Sequence, residues 1–156
     1  FEHKGLYRSI IDDVPEDYYS IPIGSGKIVS NGKDLTIITY GQAVHWVTDI
    51  SSNYKKQGIN IEIIDLRSLV PWDKDLIEGS IKKTNKAMIV HEANLSGGIG
   101  AEIAAHISEN FFEILDAPVI RVASLDTPVP FSTDIERDIY LPLSRIKDKI
   151  NYLLDY

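Results

Sequence analysis

The feature that most constrains this chain is an apolar strand that stops at a charged pair, turns through glycines and runs straight into a helix. Residues 86–93 read K-A-M-I-V-H-E-A, and residues 94–103 read N-L-S-G-G-I-G-A-E-I. A short apolar run ending at His91 and Glu92 and followed by Gly97, Gly98 and Gly100 fits a buried parallel strand. The turn then opens a helix whose first N–H groups face the carboxyl edge of the sheet. Open α/β sheets place ligands and partners at that edge. The chemistry that would accompany such a site is missing, so the feature reads as part of an enzyme and not a whole one.

Around this segment the pattern alternates between strands and helices. Residues 35–40 (L-T-I-I-T-Y) and 59–66 (I-N-I-E-I-I-D-L) are strand-like, as are 87–90 and 118–123. Ala43, Val47, Ile50 and Tyr54 recur at helical spacing before Gly58 stops the helix. Pro71 is expected to start a short helix with Leu76, Ile77 and Ile81 inward. The helix after Gly100 is expected to bury Ile103, Ile107, Phe111 and Ile114, and Leu143, Ile146, Ile150 and Leu153 line a last helix. Strands alternating with helices imply parallel pairing, because each crossover helix must bury one face on the sheet. The expectation is an α/β fold, a three-layer α/β/α domain with a mostly parallel sheet. Residues 1–32 lack amphipathic periodicity and hold Pro15, Pro22, Tyr7, Tyr18 and Tyr19, which suits an extended surface linker. Ile28 and Val29, followed by S-N-G-K at 30–33, are expected to form a small hairpin into the next strand.

The candidate site residues each have a functional and a plain reading. His91 and Glu92 form an acid–base pair or an interface contact, or else one is a satisfied edge residue while the other orients the glycine turn. Neighbouring strand residues point to opposite faces, so at most one of them faces a given site. The glycines invite a dinucleotide reading, but Gly98-Ile99-Gly100 is followed by Ile103 where a third glycine belongs. A tight packing turn fits better. In D-L-R-S-L-V-P-W-D at 65–73, Arg67 suits a bidentate bond to a carboxylate and Asp73 reads as a helix N-cap. Trp72 reads equally as a core plug or an interface anchor. His45 and His106 lie among polar helix positions without the spacing of a zinc site, and no serine sits in a G-x-S-x-G context. Asp134, Glu136, Arg137 and Asp138 read as a solvated loop.

Charge and composition narrow the partners. The net charge of −7 argues against nonspecific nucleic-acid or anionic-membrane binding and is compatible with a basic protein partner. With no cysteine there is no disulfide, thiolate metal site or cysteine nucleophile, which fits a reducing compartment. No apolar run approaches the ~20 residues of a membrane span. The chain opens at F-E-H-K and reads as a piece of a longer protein.

Several segments taken together resemble one family. F-E-H-K-x-L-Y-R at 1–8, T-Y-G-x-x-V-H at 39–45, D-L-R-S-L-V-P-W-D at 65–73, H-E-A-x-x-S-G-G-I-G-A-E-I at 91–103 and L-D-A-P at 115–118 resemble the carboxy-terminal part of a beta subunit. That subunit belongs to the thiamine-diphosphate-dependent 2-oxoacid dehydrogenases. P-W-D at 71–73 and D-T-P-V-P at 126–130 are more similar to the branched-chain (2-oxoisovalerate) enzymes than to pyruvate dehydrogenases. The resemblance implies a transketolase C-terminal type domain over 34–156, preceded at 1–33 by the end of a pyrimidine-binding domain and a linker. It implies a parent enzyme that decarboxylates a 2-oxoacid on thiamine diphosphate and magnesium and acylates a lipoyl arm. The cofactor and the catalytic groups would be held by other domains, so no catalytic or metal residue is expected here and the fragment alone is expected to be inactive.

The implied partners are an alpha subunit or fused alpha portion, a second beta copy, and the basic peripheral-subunit-binding domain of the lipoyl acyltransferase. Asp116 and Tyr156 are the implied docking residues. Arg67, Trp72, His91, Glu92, Gly97, Gly98 and Gly100 are further interface candidates, and Tyr7 and Arg8 would approach the cofactor-bearing partner. The implied location is the bacterial cytoplasm or the mitochondrial matrix. The competing readings are a pyruvate dehydrogenase beta-subunit domain, another thiamine enzyme of transketolase or deoxyxylulose-phosphate synthase type, and a phosphate- or nucleotide-binding module at the glycine turn.

Overall fold

A computed structural model describes residues 2–156. Five strands form one sheet: β1 (Lys27–Ser30), β2 (Leu35–Thr39), β3 (Ile61–Asp65), β4 (Ala87–Asn94) and β5 (Ile120–Ser124). Their order is β1-β3-β2-β4-β5. β2 pairs in parallel with β3 and β4, β4 pairs in parallel with β5, and β1 alone runs antiparallel, against β3. The principal helices are α1 (Gln42–Lys55), α2 (Lys74–Thr84), α3 (Ile99–Phe111) and α5 (Leu143–Leu154), with a single turn, α4, at Thr133–Ile135.

Two cores lie on the two faces of the sheet, as strand alternation requires. On one face Leu35, Ile37, Ile63 and Val90 meet Val47 of α1 and Ile146 and Ile150 of α5. On the other, Ile38, Ile64 and Ile89 meet Ile77 and Ile81 of α2 and Ile103 and Ile107 of α3. The three-layer α/β/α expectation is therefore met, with two helices on each face. No helix among the described residues is long and apolar enough to cross a membrane.

Four local expectations are corrected. The 30–33 turn does not fold β1 back onto β2, because both edges of β2 are taken by parallel neighbours and β1 pairs with β3 instead. The turn crosses the start of β3 so closely that a Cβ on Gly32 would collide with the Glu62 amide. Helix α2 begins at Lys74 and not at Pro71, since Asp73 Oδ1 accepts the Leu76 N–H (3.1 Å) and sets the first turn. Ile114 is not inward: the chain leaves α3 after Phe111 through a 3-10 turn at Phe112–Ile114, which leaves Ile114 exposed. His106 is not among solvated positions; its ring lies 6.2 Å from Trp72 and 6.3 Å from Phe111.

Residues 10–23 are exposed and carry no regular helix or strand. After this exposed stretch the chain is tied to the domain at Gly24, whose N–H donates to Ser68 Oγ (3.0 Å), and at Gly26, whose N–H donates to Asp73 Oδ2 (2.9 Å). The sheet begins at Lys27, ahead of the 34–156 span expected for the domain.

Candidate functional site

The carboxyl ends of β2 to β5 gather one group of the expected residues. His91 and Glu92 point to opposite faces of β4, as alternation demands. His91 is fully buried, its ring stacked 6.1 Å from Tyr40 and its Nδ1 3.0 Å from the Ala93 carbonyl oxygen. If Nδ1 carries the proton and donates there, Nε2 is left as a buried acceptor without a partner. Burial, helped by the nearby Arg121 charge, pushes the His91 pKa down, and the Ala93 carbonyl opposes this only in part.

The glycine turn is shaped by this ring. A Cβ on Gly98 would lie 2.6 Å from His91 Cε1, and one on Gly100 would lie 2.5 Å from Nε2. The space that dinucleotide-binding glycines leave for a pyrophosphate is filled here by imidazole, so the turn is a packing turn. Gly97 supplies the positive φ (76°) that the turn needs. Ser96 is held by Asp126 from the neighbouring strand end, its N–H 2.9 Å from Oδ1 and its hydroxyl 2.7 Å from Oδ2. These two donors hold the Asp126 carboxyl below its ordinary pKa. An open cleft of about 600 Å³ runs between the two loops, lined by Ser96, Gly97, Gly98 and Asp126.

Glu92, on the other face, meets a residue that sequence reasoning missed. His3 Nε2 lies 2.6 Å from Glu92 Oε2, so the opening F-E-H-K motif docks on the H-E-A motif. Phe1 of that motif lies outside the described residues. Tyr7, singled out instead, is exposed and donates to Glu2; that bond raises its pKa. No local pattern reports a contact between residues 89 positions apart.

The loop after β3 positions the next candidates. Arg67 adopts a positive φ of 56°, is exposed, and forms no carboxylate pair among the described residues. Trp72 packs against the α2–α3 core, and its buried Nε1 has no hydrogen-bond partner. Asp73 is the N-cap expected of it. Exposed Arg137 pairs with Asp134 and Asp138 on a helical turn, as a solvated charge group.

Asp116 and Tyr156 lie elsewhere, at the amino edge. Both are exposed, and both line one cleft of about 580 Å³ together with Phe112, Leu115 and Pro118. The Asp116 N–H donates to the Asn85 carbonyl (2.9 Å), which fixes the loop just ahead of β4. The Tyr156 hydroxyl is 2.9 Å from that of Tyr152.

Among the described residues no three or more His, Asp or Glu side chains converge as metal ligands. The His91 ring fills the glycine turn, which leaves no room there for a diphosphate.

The chain is similar to the 2-oxoisovalerate dehydrogenase subunit beta 2 of Arabidopsis thaliana, 41% identical over 97% of this chain and 43% of that one. It is similar to the pyruvate dehydrogenase E1 component subunit beta of Porphyra purpurea (39%, covering 99% and 46%) and of Bacillus subtilis (42%, covering 90% and 43%). It thus spans less than half the length of these curated relatives. A split-gene transketolase solved as an inactive beta4 tetramer superposes with a TM-score of 0.73 at 25% identity, covering 91% of this chain and 46% of that one. The transketolase C-terminal domain family matches residues 24–146, from the tie at Gly24 to the buried Ile146 of the last helix, and the chain belongs to that family.

Proposed function

We propose that this domain is the assembly and docking part of the beta portion of a 2-oxoacid dehydrogenase, and that it holds the lipoyl acyltransferase through the Asp116–Tyr156 cleft. One observation carries the reading. Two residues 40 positions apart, each singled out by the resemblance, line the same exposed cleft. The occupant is the basic peripheral-subunit-binding domain of the acyltransferase. A net charge of −7 steers such a partner, and Asp116 supplies a local carboxylate. Thiamine diphosphate and magnesium belong to the rest of the parent protein and its alpha portion, a reading supported by the His91 ring that fills the glycine turn. The carboxyl edge faces those parts or a second beta copy. Val129 and Phe131, both exposed, extend that face as apolar contacts. The substrate is assigned to the branched-chain class on P-W-D and D-T-P-V-P; relatives of both the 2-oxoisovalerate and the pyruvate type are about equally similar.

The test is Asp116→Asn in the intact enzyme, with binding of the peripheral-subunit-binding domain measured across a salt series. Loss of one charge pair is expected to weaken binding by roughly 5- to 100-fold at low salt and to flatten the salt dependence. Unchanged affinity and slope reject the cleft. Micromolar binding of thiamine diphosphate to the 156-residue chain alone would reject the division of labour.

A further inference from the structure

The outer edge of the sheet carries side chains that neither the carboxyl-edge cluster nor the Asp116 cleft uses. Strand β5 ends the sheet, and a cavity of about 280 Å³ lies along it against α5. Leu95, Val122 and Leu125 give it an apolar floor, and Arg121, Arg145 and Lys149 line it as well. Although the chain is acidic overall, none of these three cations pairs with a carboxylate among the described residues.

The hydrogen-bond partners these cations do have carry no charge, so only the one carboxylate at the mouth, Asp126, offsets the three. Arg145 donates to the carbonyl oxygens of Ala123 (2.9 Å), Tyr140 (3.2 Å) and Ile139 (3.2 Å). Arg121 donates to the Leu95 carbonyl (2.9 Å), and Lys149 Nζ lies 5.4 Å from the centroid of the Tyr152 ring. Carbonyl oxygens and an aromatic face satisfy N–H groups but carry no formal charge. Asp126, the acid at the mouth, has both oxygens bonded by Ser96 and its charge offsets part of that of Arg121, which leaves three cations facing one carboxylate. A second observation is independent of the cations. Ser124 lines the same cavity, is fully buried, and its Oγ has no hydrogen-bond partner. Positive charge and an idle hydroxyl beside an apolar floor favour an anion, because the partly enclosed site weakens solvent screening.

We propose that this cavity binds a small organic anion, with a carboxylate or phosphate head toward Arg121, Lys149 and Ser124 and a short apolar body on Leu95 and Val122. The volume lies near the lower end of the ~300–1,000 Å³ of ordinary ligand pockets, which limits the ligand to a small one. An acidic peptide added as a sixth strand fits less well, because Arg145 already occupies the Ala123 carbonyl on this edge. The site stands apart from the docking cleft and does not depend on that role.

The test is calorimetric titration of the intact protein with inorganic phosphate, butyrate and the neutral isostere butyramide. Butyrate or phosphate is expected to bind and butyramide is not. The stronger of the two anions identifies the head group. Lys149→Gln, at an exposed position, and Ser124→Ala are each expected to weaken that binding by roughly tenfold, the loss of one hydrogen bond to a charged group. The circular dichroism of Lys149→Gln should match the parent, so its loss reports the site and not the fold. The proposal is overturned if neither anion binds at about 10 mM, well above any useful affinity. It is equally overturned if butyramide binds as well as butyrate, or if both variants bind like the parent.

Discussion

Replacing Gly100 with alanine tests whether the glycine turn exists to admit the His91 ring. The added methyl would lie 2.5 Å from His91 Nε2, 2.7 Å from Cδ2 and 3.2 Å from Ile89 Cγ2, against an ordinary contact of 3.4–4 Å. The ring has nowhere to retreat: it is fully buried, stacked on Tyr40 and bonded to the Ala93 carbonyl. Two effects oppose each other. Alanine is up to ~1 kcal/mol better than glycine inside a helix, and less at Gly100, which sits in the first turn of α3. Overpacking a closed core costs about 1–3 kcal/mol, so the steric effect wins by about 1–2 kcal/mol. In a domain of this size each kcal/mol lowers Tm by about 2–4 °C. The assay is urea unfolding of a double-mutant cycle with His91→Ala. That change alone is expected to destabilise by opening a cavity, but on its background Gly100→Ala should become neutral or stabilising. An equal cost of Gly100→Ala in both backgrounds, or no cost in either, would refute the account of the turn.

Two further expectations follow from single side chains. Because burial holds the His91 pKa below its ordinary 6.5, the group is neutral in both folded and unfolded chains above that pH. As pH falls below 6.5 the unfolded chain takes up a proton that the folded chain resists, so stability drops toward the folded-state value; urea midpoints between pH 7.5 and 5 should show this, and His91→Gln should flatten the slope. Asp73→Ala removes both the N-cap bond to Leu76 and the tie to Gly26, so it should cost about 1–2 kcal/mol and speed hydrogen exchange at Gly26. Retained protection at Gly26 would count against that double role.

How much of this was legible depends on how local the cause is. Strands β2, β3 and β4 are buried from both sides and rich in isoleucine, so L-T-I-I-T and I-E-I-I-D announce themselves. Strand β1 has only four residues, alternately exposed and half-buried, and Asn31-Gly32 signals a turn without saying which strand the chain will join. That choice was made by competition for the edges of β2, which no window of sequence contains. Ile114 continued the helical period of Phe111, but periodicity does not register where the connection to β5 must tighten. Asp73 was readable because a cap acts over three residues. The His3–Glu92 and Ser96–Asp126 contacts span 89 and 30 residues, and only the fold brings them together. Even the role of His91 was half legible: its position at a strand end was plain, yet its ring turned out to be the reason for the glycines.

The position of the two surfaces along β4 constrains how they can act. The Asp116 loop is fixed at Asn85, just before β4, while Glu92 and Asn94 lie at its far end. At about 3.3 Å per residue these points are roughly 25–30 Å apart. A partner seated on the amino-edge cleft therefore does not compete for the carboxyl edge, and both can be occupied at once. Sites so far apart with no shared contacts combine additively, to within about 0.5 kcal/mol. Asp116→Asn and Gly100→Ala should accordingly add in unfolding experiments. Coupling well above that value would mean that β4 transmits strain from one edge to the other, and the two surfaces would then have to be treated as one device.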